Sequence, residues 1–268
     1  MDSHLTSAIR AAREAGDFIM TQYGNVDITL KEDMSPVTEA DMGAHMRLME
    51  SLRETGIPIL SEESIDQSHI PFPYPDTLWI IDPLDGTRDF IEETGDFSVM
   101  IGLLHKGRPV LGVVYAPATR ALYYAQINQG AFVEHDGVTT RLSVSTHVSP
   151  HLRSFKSRHH YTPFMEEVAQ KLLVTEEILR GSVGVKAGLL GEKVSDFFFY
   201  TGALGAWDVC GPELIVTEAG GRVTDLEGNL ISYNEQNHRL TRGIVLSNGF
   251  CHDNILKVIQ STSLSHSI

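Results

Sequence analysis

Residues 77–90 read Thr-Leu-Trp-Ile-Ile-Asp-Pro-Leu-Asp-Gly-Thr-Arg-Asp-Phe. Leu78, Trp79, Ile80 and Ile81 form a short apolar run that predicts a buried strand. The strand is expected to stop at Asp82-Pro83, because proline has no N–H to give to a sheet ladder. Asp82 and Asp85 then stand three residues apart, followed at once by Gly86, Thr87 and a helix-like segment. Carboxylates this close repel, and removing them from water raises their pKa values, so a strand end that buries both needs cations beside it.

The preceding strand ends in acid too. Ile57 to Leu60 predicts a short strand running into Ser61-Glu62-Glu63-Ser64. Alone, a Glu-Glu pair there reads as a solvated loop; its interest is that it repeats the pattern at Asp82 and Asp85. Towards the N-terminus, residues 3–22 place Leu5, Ala8, Ile9, Ala12, Ala15, Ile19 and Met20 at helical spacing before Gly24. Val26 to Lys31 alternates as a half-exposed strand, and Glu32 to Pro36 is a turn cluster. Thr38 or Ser35 then caps a second helix reaching about Glu54. Asp41 falls in its first turn, where the helix dipole favours a carboxylate, so position alone gives Asp41 an ordinary electrostatic role.

Residues 66–76, with Pro71, Pro73 and Pro75, predict a surface loop. After the central stretch, Phe97 to Leu104, Val110 to Tyr115, Ala121 to Ala125 and Ala131 to Val133 predict an antiparallel meander. The polar segment Glu134 to Leu142 is the candidate boundary between two packed halves. Beyond it, helices are expected over 162–172, 182–190, about 206–219 and around 254–259, with strands over 177–179, 196–200, 222–224 and 243–246. Gly220-Gly221 ends the third of these helices.

The 268 residues carry 21 basic and 35 acidic side chains, a formal net charge of -14. That balance excludes a general nucleic-acid polymer binder, whose affinity comes from clustered lysine and arginine. An acidic protein that handles an anionic small molecule needs cations to mediate. Cys210 and Cys251 are the only cysteines, too few for a disulfide framework or a cysteine-rich zinc site, and they suit a reducing cytoplasm. The N-terminus lacks a basic segment with an apolar core, and no run approaches the roughly 20 apolar residues that span a bilayer. A cytoplasmic protein without a membrane span is expected.

Three acidic positions remote in sequence line up: Glu62 with Glu63, Asp82 with Asp85, and Asp208 at a helix start. Oxygen ligands without nearby cysteine or histidine favour hard cations, Mg²⁺ first. Gly86 and Thr87 open a helix beside these acids, where backbone N–H groups can hold an anion and Gly86 offers no Cβ to block it, so the substrate is expected to be a phosphate.

Ser35-Pro-Val-Thr38 with Asp41, Ser61-Glu-Glu63, Asp82-Pro-Leu-Asp-Gly-Thr87, and Trp207-Asp208 with Glu218-Ala-Gly-Gly221 stand in order along the chain. In that set the sequence resembles the lithium-sensitive, Mg²⁺-dependent inositol monophosphatase superfamily. The resemblance implies an α/β (α+β) fold, a layered α/β/α/β/α sandwich of the inositol monophosphatase and fructose-1,6-bisphosphatase type. Residues 1–135 would form an α+β half with most metal ligands, and 136–268 an α/β half carrying Asp208 and the specificity residues. It also implies two to three Mg²⁺ ions: Glu62, Asp82 and the Leu84 carbonyl would hold one, Asp82, Asp85 and Asp208 a second, and a weaker third would sit near Glu62. Thr87, hydrogen-bonded to Asp41, would orient or deprotonate the attacking water. A monomer or homodimer is expected.

Sugar-alcohol phosphatases of this superfamily carry Asp-Gly-Thr-Thr-Asn and an acidic residue seven before the helix aspartate. Here Arg88-Asp89 follows Thr87, and Thr201 stands seven before Asp208. Both departures resemble the branch that removes the 3′-phosphate from adenosine 3′,5′-bisphosphate. Ser157-Arg-His-His160 is similar to its Ser-Arg-Ser-His signature, with His159 in place of serine, and Gly181-Ser-Val-Gly-Val-Lys186 to its Gly-Ser-x-Gly-x-Lys. The resemblance makes His160, Ser182 and Lys186, with Gly86, Thr87 and Arg88, the substrate-binding residues. Read without it, the His-His pair is polar surface, Lys186 a solvated helix cation, Trp207 a core residue that positions Asp208, and the cysteines small apolar residues. The alternative substrate is inositol 1-phosphate or a sugar phosphate handled with broad specificity.

Overall fold

A computed structural model describes residues 3–24, 28–30, 36–64, 73–148, 150–233 and 238–265. Residues 32–35 of the turn expected over 32–36, parts of the strand expected at 26–31, and residues 66–72 of the proline-rich loop lie outside them. The chain opens with α1 (Ser3–Gln22), β1 (Ile28–Leu30), β2 (Pro36–Thr38), α2 (Glu39–Arg53), β3 (Ile59–Ser61), β4 (Thr77–Asp85) and α3 (Thr87–Ile91). A run of strands follows: β5 (Ser98–His105), β6 (Arg108–Ala116), β7 (Ala121–Gln126), β8 (Gly130–His135) and β9 (Val138–Arg141). Next come β10 (Leu152–Ser157), α4 (Pro163–Lys171), β11 (Val174–Arg180), α5 (Val183–Gly191), β12 (Phe197–Tyr200) and β13 (Leu204–Gly205). The last elements are α6 (Cys210–Glu218), β14 (Arg222–Thr224), β15 (Arg239–Leu240), β16 (Ile244–Ser247) and α7 (His252–Ser265).

Strands β3 to β9 form a seven-stranded sheet in chain order, and β11-β10-β12-β16-β14 form a five-stranded one. Alternation along the strands divides their side chains among three cores. Trp79, Ile81, Val99 and Ile101 face α1 and α2, meeting Ala8, Ala12, Ala44 and Leu48. Leu78, Ile80, Met100 and Val114 point the other way, into a central core shared with α5, α6 and, from the second sheet, Phe198 and Leu246. Phe197, Phe199 and Val245 leave that sheet's far side for Met165 of α4 and Ile255 of α7. The layers are therefore α/β/α/β/α, as the resemblance implies. Each large apolar side chain so buried contributes about 1.5–3 kcal/mol, the term that holds the layers together.

The structure corrects several expectations. Strand β4 does not stop at Pro83 but runs to Asp85. Its pairing with β5 shifts register between Asp82, opposite Met100, and Asp85, opposite Ser98. This bulge takes in the one residue with no N–H to offer, so the ladder loses nothing by containing proline. The helix expected from about Ala206 starts at Cys210, leaving Asp208 in the turn before it. Residues after Glu134 add β9 to the first sheet, and residues 152–157 form β10, which the sequence pattern does not mark. Cys210 opens α6 and Cys251 directly precedes α7; both thiols are buried and free.

Helix α6 lies on the first sheet at glycine-limited distance. A Cβ on Gly112 would meet Gly211 Cα at 3.2 Å, one on Gly211 the Ile101 carbonyl oxygen at 2.8 Å, and one on Gly102 the Cβ of Cys210 at 2.8 Å. Near the helix's other end, the Glu218 carboxylate accepts the backbone N–H groups of Asn128 and Gly130, each at 2.8 Å, and so ties α6 to the β7–β8 turn.

Candidate active site

Three of the expected acids meet where β4 ends and α6 begins. Carboxylate oxygens of Asp82, Asp85 and Asp208 lie within 4.8 Å of one another. Burial pushes Asp82 and Asp208 well above the ordinary carboxylate range, and neighbouring charges, Glu62 foremost, push further. Burial raises Asp85 as well, opposed by hydrogen bonds from Ser182 and Gly184 and by the charge of Lys186. Clustered carboxylates whose charged forms are disfavoured without a counter-ion fit a hard divalent cation. Glu62 borders the same cavity but stands outside the tight group of three.

Each of the three carboxylates is held. Asp82 Oδ1 accepts the Leu84 N–H at 2.9 Å. Asp85 Oδ2 accepts the Ser182 hydroxyl at 2.5 Å and the Gly184 N–H at 3.0 Å. Asp208 Oδ2 accepts the Gly205 N–H at 2.6 Å, so the turn before α6 fixes that carboxylate. Trp207 is partly buried and packs against the central core, as its core reading required.

Asp41 has both roles open to it. Its Oδ2 accepts the backbone N–H of Thr38 at 2.7 Å and the Thr38 hydroxyl at 2.6 Å, closing a capping box on α2. The Thr87 hydroxyl lies 3.0 Å from Asp41 Oδ1 and 3.2 Å from the Leu84 carbonyl oxygen. Burial raises the Asp41 pKa, and the hydrogen bonds from Thr38 and Thr87 oppose the rise. Gly86, at φ +91°, precedes α3, and a Cβ there would meet the Asp96 carbonyl oxygen at 2.7 Å. Its lack of a side chain is therefore required by packing.

Beside these groups opens a cavity of about 300 Å³, bordered by Glu62, Asp85, Thr87 and Asp208 on one side and Lys186, His160 and Tyr200 on another. Lys186 corrects the reading of a solvated helix cation: it is only 3% exposed. Burial lowers its pKa to about 8 against the raising effect of Asp85, Asp89 and Asp96, and its ammonium lies 4.4 Å over the Phe198 ring. Ser182 caps α5, accepting the Val185 N–H at 3.1 Å, while its hydroxyl reaches Asp85. Its backbone sits at φ +39°, a conformation these contacts hold in place. Arg88 is exposed at the cavity, and His160, whose ring meets Tyr200 edge-on at 5.8 Å, is lowered in pKa by desolvation and by Arg88.

Sequence reasoning missed Phe198, Tyr200 and Leu204, which complete the cavity wall. The available signal was the aromatic run of β12, where Phe198 and Tyr200 face inward because Phe197 and Phe199 face out. It also assigned nothing to Arg158, whose guanidinium reaches Asp89 and Asp96 at 2.8 Å each.

A layered sandwich that gathers clustered carboxylates and a Thr–Asp pair beside one cavity points to a phosphatase. Residues 1–264 match the inositol monophosphatase family, and the chain belongs to it. The chain is 36% identical to the 3′(2′),5′-bisphosphate nucleotidase CysQ of Aggregatibacter actinomycetemcomitans, over 87% of this chain and 88% of that protein. It is 32% identical to the fructose-1,6-bisphosphatase/inositol-1-monophosphatase of Thermotoga maritima, over 95% of each. The solved structure of a Thermotoga maritima IMPase superposes with a TM-score of 0.85 at 29% identity, over 98% of this chain and 99% of that one.

Proposed function

We propose that the protein is a cytoplasmic Mg²⁺-dependent 3′(2′),5′-bisphosphate nucleotidase that hydrolyses adenosine 3′,5′-bisphosphate to AMP and phosphate. The observation that carries this reading is Lys186, a buried cation aimed into the cavity that also holds the carboxylates. A substrate with one phosphate at the carboxylate cluster and a second elsewhere needs such a charge, and an inositol monophosphate does not. Ala203 and Leu204 border the cavity ahead of Asp208, and Thr201 takes the position where a carboxylate for sugar hydroxyls would stand.

Asp82, Asp85 and Asp208, with Glu62 and the Leu84 carbonyl, would hold two to three Mg²⁺ ions. Bound there, the cations would polarise the phosphoryl group and acidify the attacking water. The Thr87 hydroxyl, which alone is too weak an acid for proton transfer at neutral pH, gains an acceptor in Asp41 Oδ1, so a proton leaving water can pass to this pair. Ser182 fixes the orientation of Asp85, and His160 and Tyr200 form the wall against which a base would rest.

The likeness to the Thermotoga maritima fructose-1,6-bisphosphatase/inositol-1-monophosphatase favours a second reading, a broad sugar phosphatase. Hydrolysis rates on adenosine 3′,5′-bisphosphate and inositol 1-phosphate, measured side by side, decide between them. Higher kcat/KM on the nucleotide, with loss of rate in tens of millimolar Li⁺, is expected; preference for inositol 1-phosphate sinks the first reading.

A further inference from the structure

Lys186 is surrounded by carboxylates yet forms no ion pair among the described residues. The carboxylate charges that act on it are those of Asp85, Asp89 and Asp96, and the Arg158 guanidinium opposes them. All three are engaged elsewhere. Asp85 is taken by Ser182 and Gly184. Asp89 and Asp96 are bridged by one side chain: Arg158 donates Nε–H to Asp89 Oδ1 and an Nη2 hydrogen to Asp96 Oδ2, both at 2.8 Å. Thr94 donates to Asp89 Oδ1 at 2.9 Å, and His159 Nε2 stands 3.5 Å from Asp89 Oδ2. Asp96 also accepts the Gly181 N–H at 3.1 Å, with Arg180 Nε at 3.8 Å from its other oxygen. The Asp89 carboxylate is 4% exposed, so a charge there without its guanidinium would seek the nearest cation.

We infer that Arg158 is a positioning residue that decides substrate choice: by satisfying Asp89 and Asp96 together, it leaves the Lys186 ammonium uncommitted and facing the cavity, free for the second phosphate of a bisphosphate substrate. The inference rests on the nucleotidase reading and deepens it. An arginine is needed because its planar fork serves two carboxylates from one side chain, which a lysine cannot do with the same geometry. With Arg158 absent, Lys186 is drawn onto Asp89, since Asp96 keeps the Gly181 N–H and Arg180 beside it, and the second phosphate loses its cation, while the carboxylate cluster and the Thr87–Asp41 pair stay as they are.

The test compares kcat/KM on adenosine 3′,5′-bisphosphate and adenosine 3′-monophosphate, which differ only in the second phosphate. Arg158→Gln is expected to lower the bisphosphate-to-monophosphate ratio about 10-fold, the worth of one charge-assisted contact, and to do so through KM for the bisphosphate. Adding Asp89→Asn, which removes the freed charge and keeps an oxygen for Thr94, restores most of the ratio. Lys186→Met sets the floor, and Arg158→Gln added to it lowers the ratio no further. Should Arg158→Gln melt below the assay temperature, Arg158→Lys, with the charge and without the fork, is measured instead and gives a partial loss. An unchanged ratio in the Arg158 variant, a loss that Asp89→Asn does not restore, or losses from Arg158→Gln and Lys186→Met that multiply, overturns the assignment. A wild-type ratio near one removes the nucleotidase reading and this inference together; a wild-type preference that survives the Arg158 change removes the inference alone.

Discussion

Replacing Gly112 by alanine should weaken the fold and the chemistry together, because one close approach serves both. The added Cβ would stand 3.2 Å from Gly211 Cα and nearer still to the Gly211 carbonyl oxygen. Ordinary carbon contacts begin near 3.5–4.0 Å, so α6 must retreat by roughly half an ångström or more. Overpacking of this kind costs about 1–3 kcal/mol. For a chain of this size that is a fall in Tm of roughly 2–4 °C per kcal/mol, or about 4–8 °C for the middle of the range. Asp208 lies three residues before Gly211, in the turn that leads into α6, so the retreat carries it away from Asp82 and Asp85. A misplacement of about 1 Å at a reacting centre can cost on the order of 10²-fold in rate, so half of that should cost about 10-fold. Thermal melting and kcat across a Mg²⁺ titration measure the two effects on the same sample. A variant with lowered Tm and undiminished kcat would show that α6 docking does not set the place of Asp208, and a variant with wild-type Tm would refute the tight seam itself.

Asp85→Asn removes one charge from the cluster while keeping its shape: kcat should fall by about 10² or more, and the metal-free protein should melt higher because repulsion is relieved; full activity in this variant rules out the carboxylate assignment. In the metal-free protein, the raised pKa values of Asp82 and Asp208 mean that the fold binds more protons than the unfolded chain, so Tm should fall as pH rises from the ordinary Asp value of 3.8 towards those raised values; melting curves with and without Mg²⁺ test this, and a Tm that climbs with pH over that window contradicts it. Glu213, buried in α6 beside Tyr233 and Arg108, is raised from 4.5 to about 7, so its ionisation costs stability as pH rises through that interval; Glu213→Gln should flatten this part of the Tm–pH curve, and an unaltered slope would show that the group does not titrate there. Asp41→Asn should reduce kcat by about 10²-fold through Thr87 with a Tm change of at most a few degrees, since the lost cap of about 1 kcal/mol is offset by relief of a buried charge; equal loss of stability and rate would make Asp41 a helix cap only.

The acids of the candidate site were legible because each ends an apolar run or opens a helix: Glu62 after Leu60, Asp82 after Ile81, Asp208 before Cys210. Local patterns of that kind survive in one dimension. Contacts between distant layers do not. Gly102 and Gly112 look like ordinary strand residues, and only the arrival of Gly211 a hundred positions later gives them a reason to be small. Lys186 reads as a surface cation because the Phe198 ring that covers it comes from a different element, a strand of the second sheet. Arg158 looks like one polar residue among several until Asp89 and Asp96, some 60 to 70 positions earlier, come within reach of its fork. The proline misled for a different reason: its missing N–H argues against a regular ladder and says nothing against a bulge.

That bulge also settles a matter of parity. Residues 82 and 85 are an odd number apart, and on a regular strand they would face opposite ways, one toward Asp208 and one into the apolar layer beneath α1 and α2. The extra residue resets the count. Leu84 drops into that apolar layer, although Leu78 and Ile80, also even-numbered, face the other way, and Asp85 comes round to join Asp82. A shorter Asp-x-Asp strand would put two carboxylates on one side by alternation alone, but every carbonyl between them would stay in the ladder. The inserted residue leaves the Leu84 carbonyl turned toward Thr87, a neutral oxygen supplied beside the charged ones without adding another charge to a group that already repels itself.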